Sequence, residues 1–166
     1  MMCTTIKDIP ESTRHVLRGQ GKELAKHLEL PLRVGQVTWL GKARIACLGP
    51  DEWMLVSEQP DQLLLDQMAS LYAETPHALA DVSDRELSLR ISGPAAADVL
   101  ASGCPRDLRG IDSDQAMRTI CHGVEIILWR EEDGFCVDAW RSFMPHLKRQ
   151  LQSGLRDAGS FVPGGS

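Results

Sequence analysis

The chain has 166 residues, 43% of them hydrophobic and 25% charged, with a formal net charge of −5. That length suits one domain able to bury a real core. No apolar run approaches the roughly 20 residues of a membrane span, and the opening MMCTTIKDIP lacks the apolar stretch of a secretory signal. A cytoplasmic protein is expected.

Charge is unevenly distributed. Residues 1–50 carry 8 basic and 4 acidic side chains, residues 51–139 carry 6 and 18, and residues 140–166 carry 4 and 1. An acidic middle repels phosphates, so nucleic acid is not an expected partner. It reads as a solvated surface or as electrostatic steering toward a basic partner. Cysteines stand at 3, 47, 104, 121 and 136. Their number is odd and none forms a Cys-x-x-Cys pair, which points to reduced thiols.

Taken in chain order, residues 11–29 have a helical pattern of Val16, Leu17, Leu24 and Leu28, interrupted by Gly19 and Gly21. Residues 35–47 form a strand candidate with a turn at Gly41-Lys42, and Trp53 to Val56 a second. Pro60-Asp61 opens a helix whose Leu64, Met68, Leu71 and Tyr72 share one face, with Pro76 ending it. Asp81 to Arg85 is a polar turn after a strand. Leu87, Leu89 and Ile91 then alternate with Ser88, Arg90 and Ser92, the period of a half-buried strand. Ser92-Gly93-Pro94 stops that strand, and Pro94 presets the helix of Ala95 to Leu100, for which Gly103 is the stop. Three strands follow: Ala116 to Cys121, Val124 to Trp129 and Phe135 to Trp140. Asp133-Gly134 is a hairpin signal between the last two. Pro145 starts a final helix lined by Leu147, Leu151 and Leu155 and ended by Gly159. Residues 1–159 are expected to be a single domain and 160–166 a disordered tail. Strands in groups with helices between them indicate an α+β fold with a largely antiparallel sheet. A short echo links Leu48-Gly49-Pro50 and Ser92-Gly93-Pro94, each after a strand.

The common catalytic patterns are missing. The histidines at 15, 27, 77, 122 and 146 make no His-x-x-x-His, and Cys121-His122 would point to opposite faces of a strand. There is no Gly-x-Ser-x-Gly elbow, and Ser83-Asp84 reads as a pair of turn caps. Gly93-Pro94 alone is no phosphate cradle, and no dinucleotide or Gly-Lys-Ser fingerprint is present. Four tryptophans, at 39, 53, 129 and 140, stand beside one tyrosine and three phenylalanines. At least two belong in the core. Trp129-Arg130 and Trp140-Arg141, with Phe143, combine residue types favoured as interface anchors. They are the candidate subunit interface.

Several blocks resemble a known family. Asp81-Val82-Ser83-Asp84-Arg85 followed by Leu89-Arg90-Ile91-Ser92-Gly93-Pro94 resembles the folate-binding domain of glycine-cleavage aminomethyltransferases. Leu48-Gly49-Pro50-Asp51-Glu52-Trp53 is similar to a segment of the gamma subunit family of heterotetrameric sarcosine oxidase. Ile126 to Arg130 before an acidic hairpin, Trp140-Arg141-Ser142-Phe143, and Gly103-Cys104-Pro105 with Asp107-Leu108 fit the same family. The resemblance spans about Pro31 to Leu155. It implies a split β-α-β, ferredoxin-like arrangement of elements. It further implies a non-catalytic, structural subunit of a complex that converts sarcosine and oxygen to glycine, hydrogen peroxide and a one-carbon unit. FAD, FMN, NAD and tetrahydrofolate would sit on the alpha, beta and delta subunits, with no cofactor, metal or catalytic residue on this chain. The aminomethyltransferases' Asn-x-x-Gly-Gly motif would fall near residues 116–135, where His122-Gly123 and Glu125 stand instead. A free-standing folate-binding or aminomethyltransferase-like protein is one alternative. A subunit of a related N-methyl amino acid dehydrogenase is another.

Overall fold

A computed structural model describes residues 3–160. Its strands are β1 Thr5–Ile9, β2 Thr13–Gly19, β3 Val37–Leu40, β4 Ala43–Gly49, β5 Glu52–Ser57, β6 His77–Asp81, β7 Glu86–Ser92, β8 Ala116–Cys121, β9 Val124–Glu131 and β10 Gly134–Trp140. The helices are α1 Gly21–Leu24, α2 Gln62–Leu71, α3 Ala96–Ala101 and α4 Met144–Ser160. The α+β class is as expected, with the strands divided between two antiparallel five-stranded sheets.

The chain forms two compact units. One comprises Met1–Ile9, Glu86–Ser113 and Arg118–Ser166, and the other Pro10–Arg85 with Asp114–Met117. We refer to the first as the split unit and the second as the inner unit. In the inner unit the strand order is β3-β4-β5-β2-β6. Its core gathers Leu17, Leu24, Leu28, Ile45, Trp53, Leu64 and Met68. The Trp53 indole N–H donates to the Pro31 carbonyl at 2.7 Å, so the one polar atom of a fully buried ring is satisfied. Asp61 caps α2 by accepting from the Leu64 N–H at 3.2 Å. It also accepts from the Lys42 N–H at 2.8 Å in the β3–β4 turn. These two backbone donors, Lys42 first, hold its carboxyl below the usual carboxylate range.

In the split unit the order is β1-β7-β10-β9-β8. Leu89, Ile91, Val99, Leu100, Ile126, Leu128, Val137, Leu147 and Leu151 are buried there. Read outward from β8, this order repeats that of the inner unit: β8-β9-β10-β7-β1 beside β3-β4-β5-β2-β6. The registers agree in detail. Leu17 faces Trp53 where Ile91 faces Phe135. At the ends of β2 and β7, the Gly19 N–H donates to the Asp51 carbonyl at 3.1 Å and the Gly93 N–H to that of Asp133 at 2.9 Å. The two units are therefore the same topology twice. In the inner unit the last strand follows α2; in the split unit its place is taken by β1, from much earlier in the chain. The Leu-Gly-Pro and Ser-Gly-Pro echo is not the register of this repeat. Gly19 corresponds to Gly93, and the Gly49-Pro50-Asp51 turn corresponds to the Glu132-Asp133 turn.

Three elements differ from expectation. Residues 11–29 are not helical throughout: β2 runs to Gly19, and only the short α1 follows. β2 pairs with β5 on one side and β6 on the other, so both edges of its backbone are satisfied within the sheet. Strand pairing here outweighs a helical pattern already weakened by two glycines. The leucines picked out by that pattern, Leu17, Leu24 and Leu28, are nevertheless buried. β1 was not foreseen, because its TIKDI is short, charged and at a sheet edge. Gly159 does not stop α4, which runs to Ser160. Of the expected tail, everything beyond Ser160 lies outside the described residues.

Gly93 is a point of close approach. Its φ is +109°, and a Cβ there would lie 2.7 Å from the Thr4 Cα and 2.9 Å from the Cys3 carbonyl oxygen. Gly123 has a φ of +77° but open space around it. Gly93→Val should therefore lower stability by about 2 kcal/mol or more, since strain and a backbone clash add. Gly123→Asn, at a φ that asparagine tolerates, should cost under about 1 kcal/mol. Urea unfolding of both variants checks the contrast.

Candidate functional site

β10 ends at a corner that links the sheet to α4. Six of its seven residues, Gly134 to Ala139, are buried, and only Trp140 is exposed. The alternation of Phe135, Val137 and Ala139 with Cys136, Asp138 and Trp140 suggests one core face, but both faces are covered until the last residue. After Trp140 the chain turns. The Phe143 N–H donates to the Trp140 carbonyl at 2.9 Å, and the Phe143 carbonyl accepts from the Leu147 N–H at 3.0 Å as α4 begins. Residues 140–143 are thus a hydrogen-bonded β-turn, which holds its first and last residues within about 7 Å of each other. Trp140 is 48% exposed and Phe143 51%. Arg141 is exposed between them.

On α4, Met144, Leu147 and Leu151 are buried, at the spacing of one helix face. His146 and Arg149 are exposed. Lys148 turns away and donates to Asp8 on β1 at 2.6 Å. Sequence reading passed over the outward pair His146 and Arg149, although their i, i+3 spacing opposite the leucine face was available.

The other pair of candidates has a different place. Trp129 is 1% exposed and is a core residue, not a surface anchor. Its indole N–H donates to Asp138 Oδ2 at 2.7 Å, and the Ser88 hydroxyl donates to Asp138 Oδ1 at 2.5 Å. A buried carboxylate thus joins β7, β9 and β10. The signal for it was the lone Asp in the apolar run FCVDAW. Arg130 is half-buried and engaged within its own hairpin. It donates to the Gly134 carbonyl at 2.6 Å, and its guanidinium lies 4.8 Å from the Phe135 ring centroid. Of the remaining tryptophans, Trp53 is core and Trp39, on the edge strand β3, is 66% exposed.

The polar turn after β6 is occupied with structure. Asp81 accepts from both the N–H and the hydroxyl of Ser83, at 2.9 and 2.6 Å, and Ser83 Oγ accepts from the Arg14 N–H at 3.0 Å. The Ser83 bonds, the side-chain one first, hold the Asp81 carboxyl below its usual range. That hydroxyl is engaged in forming the turn. A folate ligand would need converging buried donors and acceptors. Glu125 on β9 is instead a surface carboxylate, 63% exposed and 3.6 Å from the Arg118 guanidinium. His122 and Gly123 form the tight β8–β9 turn, with φ values of 49° and 77°. These three residues thus lie in a surface ion pair and a tight turn. Among the described residues, no group of three or more His, Cys, Asp or Glu side chains could hold a metal ion. Among them too, no helix is long and apolar enough to cross a membrane.

None of the five cysteines is in a disulfide; Cys3 is exposed and the other four are buried. Burial, with Cys104 nearby, pushes the Cys121 thiol up to about 12.

No family model matches the sequence. The chain is 31% identical over 154 residues to the sarcosine oxidase subunit gamma of Corynebacterium sp. strain U-96, covering 88% of this chain and 71% of the relative. It is 34% identical over 104 residues to the subunit of the same name from Arthrobacter sp., covering 61% of this chain and 51% of the relative. It thus spans between half and three-quarters of these relatives' length. Among solved structures, it is similar to a chain of the heterotetrameric sarcosine oxidase from Corynebacterium sp. U-96 in complex with pyrrole 2-carboxylate. There the TM-score is 0.84 at 27% identity, covering 97% of this chain and 88% of that one. The glycine cleavage system aminomethyltransferase T of Bartonella henselae matches at TM-score 0.70 and 16% identity, covering 90% of this chain and 45% of that one. This second likeness is one of fold.

Three measurements test the site's chemistry. A thiol reagent should label one cysteine in the native protein and five in denaturant. Folding stability should fall as pH rises from about 9 to 12, because the unfolded Cys121 thiol, at its ordinary 9.0, ionises where the folded one cannot. Cys121→Ala should make that fall shallower. Asp138→Ala, which leaves the Trp129 and Ser88 donors without this acceptor, should cost about 3 kcal/mol in urea unfolding. With motif, topology and whole-chain similarity in agreement, the chain belongs to the sarcosine oxidase gamma subunit family.

Proposed function

We propose that this protein is a non-catalytic structural subunit of a heterotetrameric sarcosine oxidase. The complex would turn sarcosine and oxygen into glycine, hydrogen peroxide and a one-carbon unit. The alpha, beta and delta subunits would be its partners and would hold the FAD, FMN, NAD and tetrahydrofolate. The assembly would work in the cytoplasm. The observation that carries this reading is the similarity of nearly the whole chain to one chain of such a complex.

The chemistry of the residues supports a structural role. The hydroxyl and carboxylates of the aminomethyltransferase-like motifs are used in turns, caps and ion pairs. Glu125, the one carboxylate where a folate ligand would be sought, is paired at the surface. That observation favours a subunit over a free-standing folate-binding module.

The test is preparation of the chain alone and with the larger sarcosine oxidase subunits of its own host. Alone, it should be colourless, inactive toward sarcosine and unsaturated by tetrahydrofolate. Co-expressed, it should purify with the larger subunits, and omitting it should lower the yield or melting temperature of the complex. A visible flavin band in the isolated chain, or saturable folate binding by it, would overturn the proposal.

A further inference from the structure

We infer that the corner formed by Trp140 and Phe143, with the outward face of α4, is the surface that docks this subunit onto a larger one. The partner would present an apolar pocket rimmed by carboxylates. This rests on the subunit reading above and adds the face and the chemistry of its partner.

Three observations lead here. The first is exposure at a place that otherwise buries everything. β10 is covered on both faces from Gly134 to Ala139, yet its last residue and the turn after it leave two large aromatic rings about half in water. Aromatic side chains at the centre of an interface commonly supply most of its binding energy.

The second is rigidity. Phe143 has both its backbone N–H and its carbonyl engaged, one in the turn and one in the first bond of α4. The two rings are therefore presented by a fixed turn between a sheet and a 17-residue helix. Little backbone order remains to be imposed on binding, which favours affinity.

The third is charge. Residues 140–166 carry 4 basic side chains against 1 acidic, whereas residues 51–139 carry 6 against 18. Exposed Arg141 and Arg149 follow the aromatic corner in sequence, the second of them on α4. Lys148, between them, donates to Asp8 on β1. An apolar centre with a cationic border is complementary to an apolar pocket with an anionic rim. The border charges steer encounter while the rings hold the bound state.

The experiment measures binding of the full chain to the larger subunits by surface-immobilised titration, after co-purification of the wild type has been confirmed. Failure of the wild type to co-purify would remove the subunit reading itself. With that step passed, Trp140→Ala should weaken binding by about 30-fold or more and Phe143→Ala by about 10-fold or more. Arg149→Glu, at an exposed helix position, should slow association, with a deficit that shrinks as salt is raised. Trp39→Ala, which removes a more exposed tryptophan from the inner unit, should change nothing. Melting curves identify any variant that fails to fold, and Arg149→Glu keeps the test intact if an aromatic variant does. Wild-type affinity in folded Trp140→Ala and Phe143→Ala, or in Arg149→Glu at low salt, would overturn the proposal. So would self-association of the isolated chain that Trp140→Ala abolishes, which would assign the face to a second copy.

Discussion

The approach of the Cys3–Thr4 backbone to Gly93 sets the geometry of the split unit. Around that one residue four segments meet. The Gly93 N–H donates to the Asp133 carbonyl in the β9–β10 turn, and the Gly93 carbonyl accepts from the Ala96 N–H as α3 begins. The Thr4 hydroxyl accepts from the Ala95 N–H at 2.9 Å, tying the strand that precedes β2 to the start of the same helix. A side chain at Gly93 would separate these partners, and only a residue without a Cβ accepts both the spacing and the φ. From there the register of β1 on β7 and of β7 on β10 follows, down to Ser88 facing Asp138.

The repetition of topology places that point in context. The Gly19–Asp51 and Gly93–Asp133 bonds are the same device in two sheets, tying the end of an interior strand to the hairpin beside it. This accounts for the family motifs in physical terms. In Leu-Gly-Pro-Asp-Glu-Trp, Asp51 offers its carbonyl, Glu52 pairs with Arg18 at 2.9 Å, and Trp53 fills the core. In Ser-Gly-Pro, Gly93 makes the close approach. Each of these motif residues thus has a task in holding its sheet together.

What was legible in the residues, and what was not, divides along the same line. Local signals read correctly: Asp133-Gly134 as a hairpin, Pro60-Asp61 as a helix start, Gly41-Lys42 as a turn, and the alternating strand through Ile91. Where the structure is set by distant pairing, local reading failed. β2 has the residue spacing of a helix, but β5 and β6 lie on either side of it. β1 has almost no signal of its own, and its partner strand lies 87 residues away, as the Thr5–Ser92 pair measures. The candidate site divided for a related reason. Trp129 and Trp140 are each followed by an arginine, yet one ring bonds to a buried carboxylate while the other stands at the mouth of a turn. Sequence spacing cannot separate them, because Ile126 to Trp129 of β9 and Gly134 to Ala139 of β10 are buried without alternation.

The placement of β1 also dictates the order in which the protein can assemble on the ribosome. β1 emerges before any strand of the inner unit, while every strand it must join follows residue 85. At synthesis rates of roughly 5–20 residues per second, β1 waits on the order of 5–20 s for its partner, and the inner unit can close in that interval. A waiting strand with unsatisfied backbone groups is a template for aggregation. Lys7 and Asp8, both exposed, place opposite charges in the middle of its five residues. Charges on an edge strand disfavour pairing with a wrong neighbour, so the feature that hid β1 from sequence reading is also one suited to its wait.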